Sequence, residues 1–368
     1  MKVYFCKLRL GSGIIFNGWN LETNKKLNVL VAAGGTGGHL FPAIAVIEQM
    51  EALTSGNVFP IFVGTADRIE SKVVPSSGYE FQSIPISGYG GLFSLKIYLL
   101  PFKIILSIQK CREIIRKRKI DAVICTGAYI SYPAGMAANF EKVPLFLLES
   151  NVSPGKTIKM LSSKARMIFT SFKETAKYFS NEKEYKILYL GNPIRKSILS
   201  VPEQAQARKN FGLDPNRRTV LIFGGSLGAR SINNAVEKAI VRFKDSDFQI
   251  LWQTGNNFTQ PVTLPENIKV LPFIEDMASA YSAADLVVSR SGATTVAEIC
   301  AVGKPSILIP LPSASNNEQE LNAKVLEKQY AAFLLDNDVL DTKLGNIILK
   351  FMSDGEILQK MGESAKSL

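Results

Sequence analysis

The chain has 368 residues, enough for two domains of ordinary size, and its 46% hydrophobic and 20% charged residues exclude a disordered protein. A formal net charge of +11 points to an anionic partner. Cys6, Cys111, Cys125 and Cys300 stand singly beside a lone histidine, so no zinc site is expected and a reducing compartment fits.

Residues 1–26 carry Lys2, Lys7, Arg9, Lys25 and Lys26 against Glu22 alone. Their apolar run is too ragged for a signal peptide. They read as an N-terminal extension, and a transit peptide and an incidental extension both fit. The first buried strand is expected at "NVLVAA" (28–33). It opens into "GGTGGH" (34–39), and a helix is expected from Pro42 to Leu53, with the proline in its tolerant first turn. Four glycines let backbone N–H groups approach a ligand, and a helix start favours negative charge. Two common nucleotide loops fit poorly. Leu40 stands where the dinucleotide fingerprint, counted from Gly35, needs its third glycine, and no lysine serves a phosphate loop. A tight turn without a ligand is the plain alternative.

"VFPIFVG" (58–64) is the next strand, followed by the helical "DRIESKVV". Between Lys96 and Lys119 eight basic residues face Glu113 alone, seven of the eleven net charges. The nearest thing to a membrane span, Leu92 to Ile108, is broken by Lys96, Pro101 and Lys103 and falls short of the ~20 apolar residues needed. "DAVICTG" (121–127), "VPLFLLES" (143–150) and "ARMIFTS" (165–171) are further strands, with the helical "YPAGMAANF" after the first of them. Continuous apolar runs mean strands covered on both faces, and alternation with helices means βαβ units.

"LGNPIRKSILSVPE" (190–203) is turn-rich and reads as a junction. The series then restarts with strands at 217–225, 248–255, 268–274, 284–292 and 305–312. Two α/β series predict two Rossmann-like domains with parallel sheets, 27–195 and 196–368, with ligand in the cleft between them. The loop "GGSLGARSINN" (224–234) offers the Ser226 hydroxyl and the Asn233 amide. In "SRSGATTVAE" (289–298) a helix start follows Gly292 and could hold a diphosphate. Glu298, about one turn inside, could take both hydroxyls of a ribose; its plain alternative is to complement the helix dipole.

Taken together, "GGTGGHLFPAIA" (34–45), "GTADRIE" (64–70), "GAYISYPAGMAA" (127–138), "GNPIR" (191–195), "GGSLGARSIN" (224–233), "FIEDMASAYSAADLVVSRSGATTVAEI" (273–299) and "NNEQELNA" (316–323) carry a family's order. The chain, from residue 27 onward, resembles the peptidoglycan N-acetylglucosaminyltransferases of glycosyltransferase family 28. The resemblance implies a GT-B fold, two Rossmann-like domains facing across a cleft. It implies inverting transfer of N-acetylglucosamine from UDP-N-acetylglucosamine to the 4-hydroxyl of the N-acetylmuramoyl group of lipid I, giving lipid II. No cofactor and no nucleic acid are implied.

The resemblance places the donor mainly in the second domain. Ile274 meets the uracil, Ser226 and Ala293, Thr294 and Thr295 take the diphosphate, Glu298 takes the ribose and Gln319 helps hold the sugar. Thr36, Gly37, Gly38, Asn151 and Arg195 complete the donor site from the N-terminal side. His39 and Tyr129 face the acceptor. His39 is the candidate general base, being the one group that titrates near neutrality, with a structural helix cap as its alternative. Leu92, Phe93, Lys96, Lys103, Lys110, Arg112 and Arg116 form an expected patch against an anionic membrane, placing the protein peripherally at the cytoplasmic face of the plasma membrane.

Three departures stand out. The family commonly reads "HEQN" where this chain has "LESN" (148–151), so Leu148 and Ser150 change the surroundings of Asn151. Glu318 stands where many members have histidine or glutamine. The sequence stops at "MGESAKSL" where many members continue into a helix returning to the first domain, so loosely coupled domains or a longer parent chain are expected. Another lipid-directed GT-B transferase, such as a galactolipid synthase, is the competing enzyme reading. A nucleic-acid binder is disfavoured because Phe93, Tyr98 and Phe102 lie among aliphatic residues rather than among basic ones. A dehydrogenase is disfavoured by the missing fingerprint.

Overall fold

The computed structural model describes residues 26–87, 100–225, 227–259 and 263–368. The chain divides into two compact units, Met1–Ser150 with Pro154–Pro193, and Asn151–Ser153 with Ile194–Leu368.

The first unit runs β1 (Leu27–Ala32), α1 (Gly37–Leu53), β2 (Val58–Gly64), α2 (Glu70–Ser76), β3 (Glu80–Ser83) and α3 (Leu100–Lys117). It continues with β4 (Ala122–Cys125), α4 (Ser131–Glu141), β5 (Leu145–Glu149), α5 (Lys156–Leu161), β6 (Met167–Thr170) and β7 (Ile187–Tyr189). Its seven strands pair in parallel in the order β3-β2-β1-β4-β5-β6-β7. Side chains alternate across a strand, so β1 feeds two cores. Val29 and Val31 pack on one face with Leu40, Ala43, Ile44 and Ile47 of α1. Leu30 and Ala32 pack on the other with Ile114 and Ile115 of α3 and Ala134 and Ala138 of α4. The α1 contacts fall at i, i+3, i+4 and i+7, the stripe a helix must bury.

The second unit runs α6 (Lys196–Leu199), α7 (Gln204–Asn210), β8 (Thr219–Phe223), α8 (Arg230–Phe243), β9 (Gln249–Gln253), β10 (Ile268–Leu271) and α9 (Met277–Ala283). After these come β11 (Leu286–Ser289), α10 (Ala293–Val302), β12 (Ser306–Leu308), α11 (Glu318–Lys328), β13 (Phe333–Leu334), α12 (Leu340–Ser353) and α13 (Gly355–Ser367). Six parallel strands lie in the order β10-β9-β8-β11-β12-β13. Trp252 on β9 is fully buried; its ring packs against Phe258 and its indole N–H donates to the Asn233 side chain at 3.2 Å. Burying a large side chain of this kind contributes about 1.5–3 kcal/mol.

Both sheets are doubly wound, and the direction of winding reverses between β1 and β4 in one and between β8 and β11 in the other. Backbone loops splay apart at such a switch point, opening a crevice at the carboxyl ends of the strands. All the glycine-rich loops singled out in the sequence leave one of these four strands.

Two expectations need correction. The first helix begins at Gly37, not Pro42, so Pro42 lies inside it. The Thr36 carbonyl accepts from the N–H groups of His39 and Leu40, which winds the last two glycines and His39 into the first turn. The basic cluster is also less bare than its sequence suggests. Arg112 and Arg116 both grip Glu141, at 2.6 and 2.7 Å, and Arg118 pairs with Glu80, acids supplied from outside the run.

Candidate functional site

In the first unit the β1–α1 loop meets the β4–α4 loop. His39 is the third residue of α1 and is half-buried. Its Nδ1 lies 2.7 Å from the Thr126 carbonyl oxygen, and the Thr126 hydroxyl returns a bond to the His39 carbonyl at 2.8 Å. A carbonyl can only accept, so Nδ1 carries the proton and Nε2 keeps its lone pair. Burial lowers the imidazole pKa, and the weaker pull of the Thr126 bond in the other direction does not restore it. The ring therefore favours its neutral form more than a free imidazole does, with the lone pair on Nε2.

Gly127 makes room for that ring. Its φ is +105°, and a Cβ placed there would lie 2.9 Å from His39 Cε1. Replacing Gly127 with alanine combines a disfavoured backbone with a direct push on the imidazole. Turnover should fall by about 10²-fold, the usual result of misplacing a reacting group by about 1 Å. Steady-state transfer kinetics with a melting curve will check this, and normal turnover in the folded variant would contradict the placement.

The other first-unit residues gather around the same loop. A Cβ on Gly35 would lie 3.7 Å from the Tyr129 ring, so Tyr129 stands beside the loop and is half-buried. Thr36 and Gly38 are exposed, while Gly37 backs onto the Phe41 ring. The first two glycines have an internal purpose that was not foreseen. Gly34 and Gly35 close on the carboxylate of Glu70, which accepts from the Gly35 N–H at 2.9 Å. This part of the loop holds the chain's own anion.

The second unit gathers most of the residues expected to hold the donor. Glu298 is buried on α10. One oxygen pairs with Arg195 at 3.2 Å and the other accepts from the Tyr281 hydroxyl at 3.0 Å. Burial raises its carboxyl pKa, with Arg195 and Tyr281 opposing that shift. The carboxylate is thus held by two side chains from outside its own helix. Gly292 begins α10 with no side-chain cap, followed by Ala293, Thr294 and Thr295 in the first turn. Asn151 accepts from Asn322 at 3.0 Å, and Asn322 also takes the Val152 N–H, so "LESN" still delivers its asparagine to the second unit.

Some expected roles are narrowed. The Ile274 N–H is already bonded to Gln253 at 2.8 Å and its side chain is buried, which leaves its carbonyl to meet a base. Gln319 receives the Leu311 N–H at its Oε1, 3.0 Å away, so its Nε2 is the end left for a sugar. Asn233 is structural, with its amide spent on Trp252 and the Thr254 carbonyl. Burial raises the Glu318 carboxyl pKa. Ser226, Leu92, Phe93 and Lys96 lie outside the described residues.

Arg290 was missed. Its guanidinium is buried at the end of β11 and donates to the carbonyls of Ile309 and Pro310 and to the side chains of Asn337 and Ser231. It thus fixes the loops after β11 and β12 to the first turn of α8. With no carboxylate paired to it among the described residues, burial depresses its pKa to about 10. An arginine directly after an apolar strand run was the available signal.

On α3 the buried residues Ser107, Cys111, Ile114 and Ile115 form one stripe, and Phe102, Ile105 and Leu106 stand exposed on another. Lys110 is exposed, whereas Lys103 is half-buried and donates to Ser87 at 3.2 Å. No helix among the described residues is long and apolar enough to cross a membrane.

Two doubly wound parallel units of this kind are the arrangement of the GT-B glycosyltransferase class. Residues 29–170 match the glycosyltransferase family 28 N-terminal domain and residues 219–368 match the family 28 C-terminal domain. The chain belongs to glycosyltransferase family 28. It is 36% identical over 350 residues to the UDP-N-acetylglucosamine–N-acetylmuramyl-(pentapeptide) pyrophosphoryl-undecaprenol N-acetylglucosamine transferase of Clostridioides difficile strain 630, covering 93% of this chain and 85% of the relative. The enzyme of the same name from Thermodesulfovibrio yellowstonii is 40% identical over 344 residues, 91% of this chain and 92% of the relative. The crystal structure of Acinetobacter baumannii MurG superposes with a TM-score of 0.72 at 28% identity, covering 93% of this chain and 95% of that one.

Proposed function

We propose that this chain transfers N-acetylglucosamine from UDP-N-acetylglucosamine to the 4-hydroxyl of the N-acetylmuramoyl group of lipid I, forming lipid II. The carrying observation is the match, over 91% and 93% of this chain, to relatives bearing that activity's name. A direct displacement accounts for the chemistry. His39 Nε2 takes the proton of the acceptor hydroxyl as its oxygen attacks the anomeric carbon. The bond from that carbon to the diphosphate breaks with its electrons, configuration inverts from α to β, and UDP departs.

The second unit holds UDP in this scheme. Glu298 takes the ribose hydroxyls. The start of α10, with Ala293, Thr294 and Thr295, faces the charge growing on the diphosphate, which a helix N-terminus stabilises. Ser226, Arg195, Asn151, Ile274 and Gln319 complete the second unit's donor contacts, while in the first unit Thr36, Gly37 and Gly38 carry His39 into its place and Tyr129 borders the acceptor. Radiolabel transfer from UDP-N-acetylglucosamine to a lipid I analogue tests the assignment, with UDP-glucose and UDP-galactose as controls. Preference for a galactosyl donor would favour a galactolipid synthase instead.

The acceptor is lipid-linked, so the enzyme works at the cytoplasmic surface of the plasma membrane. The exposed Phe102, Ile105 and Leu106 with Lys110 support α3 as the contact, joined by Leu92, Phe93, Lys96 and Lys103. Apolar side chains enter the interface while each basic residue near anionic headgroups adds about 1 kcal/mol. Arg112 and Arg116 belong to the cluster, but reversing them would set new acids against Glu141. Changing Phe102, Ile105 and Leu106 to serine with Lys110→Glu should abolish sedimentation with anionic vesicles and spare transfer to a short-chain soluble acceptor. Vesicle binding as tight as the parent's would remove α3 from the contact.

A further inference from the structure

The sequence pattern "GTADRIE" places Glu70 six residues after the glycine that ends β2. Glu70 is the first residue of α2 and is fully buried. Its carboxylate accepts from three donors: the Gly35 N–H at 2.9 Å, the Thr65 N–H at 2.9 Å and the Thr65 hydroxyl at 3.0 Å. No ion pair joins it among the described residues. A buried carboxylate persists only where its lone pairs are met, and here two backbone N–H groups and a hydroxyl meet them. The fit is close on both sides. A Cβ on Gly34 would lie 2.4 Å from the carboxyl carbon, and one on Gly64 would lie 2.4 Å from Glu70 Cγ.

These contacts join two loops. Gly64 and Thr65 leave β2, and Gly34 and Gly35 leave β1, its parallel neighbour. Only three residues separate Gly35 from His39, and Thr36 among them anchors the first turn of α1. The position of the imidazole therefore has two determinants. Thr126 fixes the ring from β4, and Glu70 fixes the backbone from which the ring projects.

We propose that Glu70 is a positioning residue for His39: its buried carboxylate sets the glycine loop so that Nε2 stands where the acceptor hydroxyl is attacked. The inference rests on reading His39 as the base. It assigns the first glycine pair to an internal anion and leaves donor affinity to the second unit.

A double-variant cycle tests it with the full chain, by transfer kinetics and calorimetry with UDP. Glu70→Ala should lower kcat by about 10²-fold, the scale of a misplaced reacting group, with donor KM and UDP affinity within about twofold. The variant combining Glu70→Ala with His39→Ala should be no slower than His39→Ala alone, because the carboxylate acts only through the imidazole. Glu70→Gln keeps the volume, loses one acceptor, and serves if alanine prevents folding. Its kcat should fall by about 10-fold and show the same lack of additivity with His39→Ala. Losses that multiply in the double variant, or a donor KM that rises in step with the loss of kcat, would overturn the proposal. Near-normal kcat in His39→Ala alone would instead overturn the base reading.

Discussion

His39→Ala is expected to cut turnover by about 10²- to 10⁴-fold, the usual worth of general acid–base help, and to leave UDP affinity nearly unchanged. Three observations motivate it. The Thr126 carbonyl forces the tautomer with Nε2 unprotonated, burial holds the pKa below the ordinary imidazole value, and the contacts to Glu298 come from other elements. The direction of the shift has a pH consequence. A base works only when deprotonated, and a lowered pKa keeps it deprotonated into more acidic solution. The acid limb of the kcat profile should therefore lie below the usual imidazole range. That limb should vanish in the variant. A variant with near-normal kcat would take His39 out of the mechanism.

Glu298→Ala should weaken UDP binding by about 1.5–3 kcal/mol, the range for hydrogen bonds to a charged group. The carboxylate is buried, and Tyr281 and Arg195 hold its two oxygens. Calorimetry with UDP and with its 2′-deoxy analogue separates the ribose contact from general damage. The parent should prefer UDP, and the variant should bind both alike. Burial raises the Glu298 pKa, so its ionised form is lost on acidification sooner than that of an exposed glutamate. UDP affinity should fall as pH drops through that raised value. Unchanged affinity in the folded variant would return Glu298 to a structural role.

The strands that were legible in the sequence are those covered on both faces. β1, β2, β4, β5, β6, β8, β9, β11 and β12 are interior strands of their sheets, and their apolar runs are continuous. The three strands not foreseen, β3, β7 and β13, are all sheet edges. An edge strand pairs on one side only, and these have two to four residues of mixed character, such as "EFQS". The edge strand β10 was foreseen from its apolar run, although it ends at Leu271, short of the expected 274.

The glycine loops were legible as loops because backbone that bare has few other uses. Their interior partners were not. Glu70 looks like an ordinary acid beside Asp67 in "GTADRIE", and only the parallel pairing of β1 with β2 brings it under Gly34. The Glu298–Tyr281 bond likewise joins residues 17 apart on two different helices, a contact that no local spacing announces.

Trp252 has a practical consequence. Its indole N–H is tied to Asn233, and Asn233 is tied to the Thr254 carbonyl, against which Gly228 packs so closely that a Cβ there would lie 2.0 Å from the oxygen. The fluorophore is thus wired, through one amide, to the loop after β8. The sequence has one other tryptophan, Trp19. A Trp19→Phe protein would carry a single intrinsic optical reporter, placed beneath a loop assigned to the diphosphate. Nucleotide occupancy could then be followed in real time by emission intensity, without label and without acceptor.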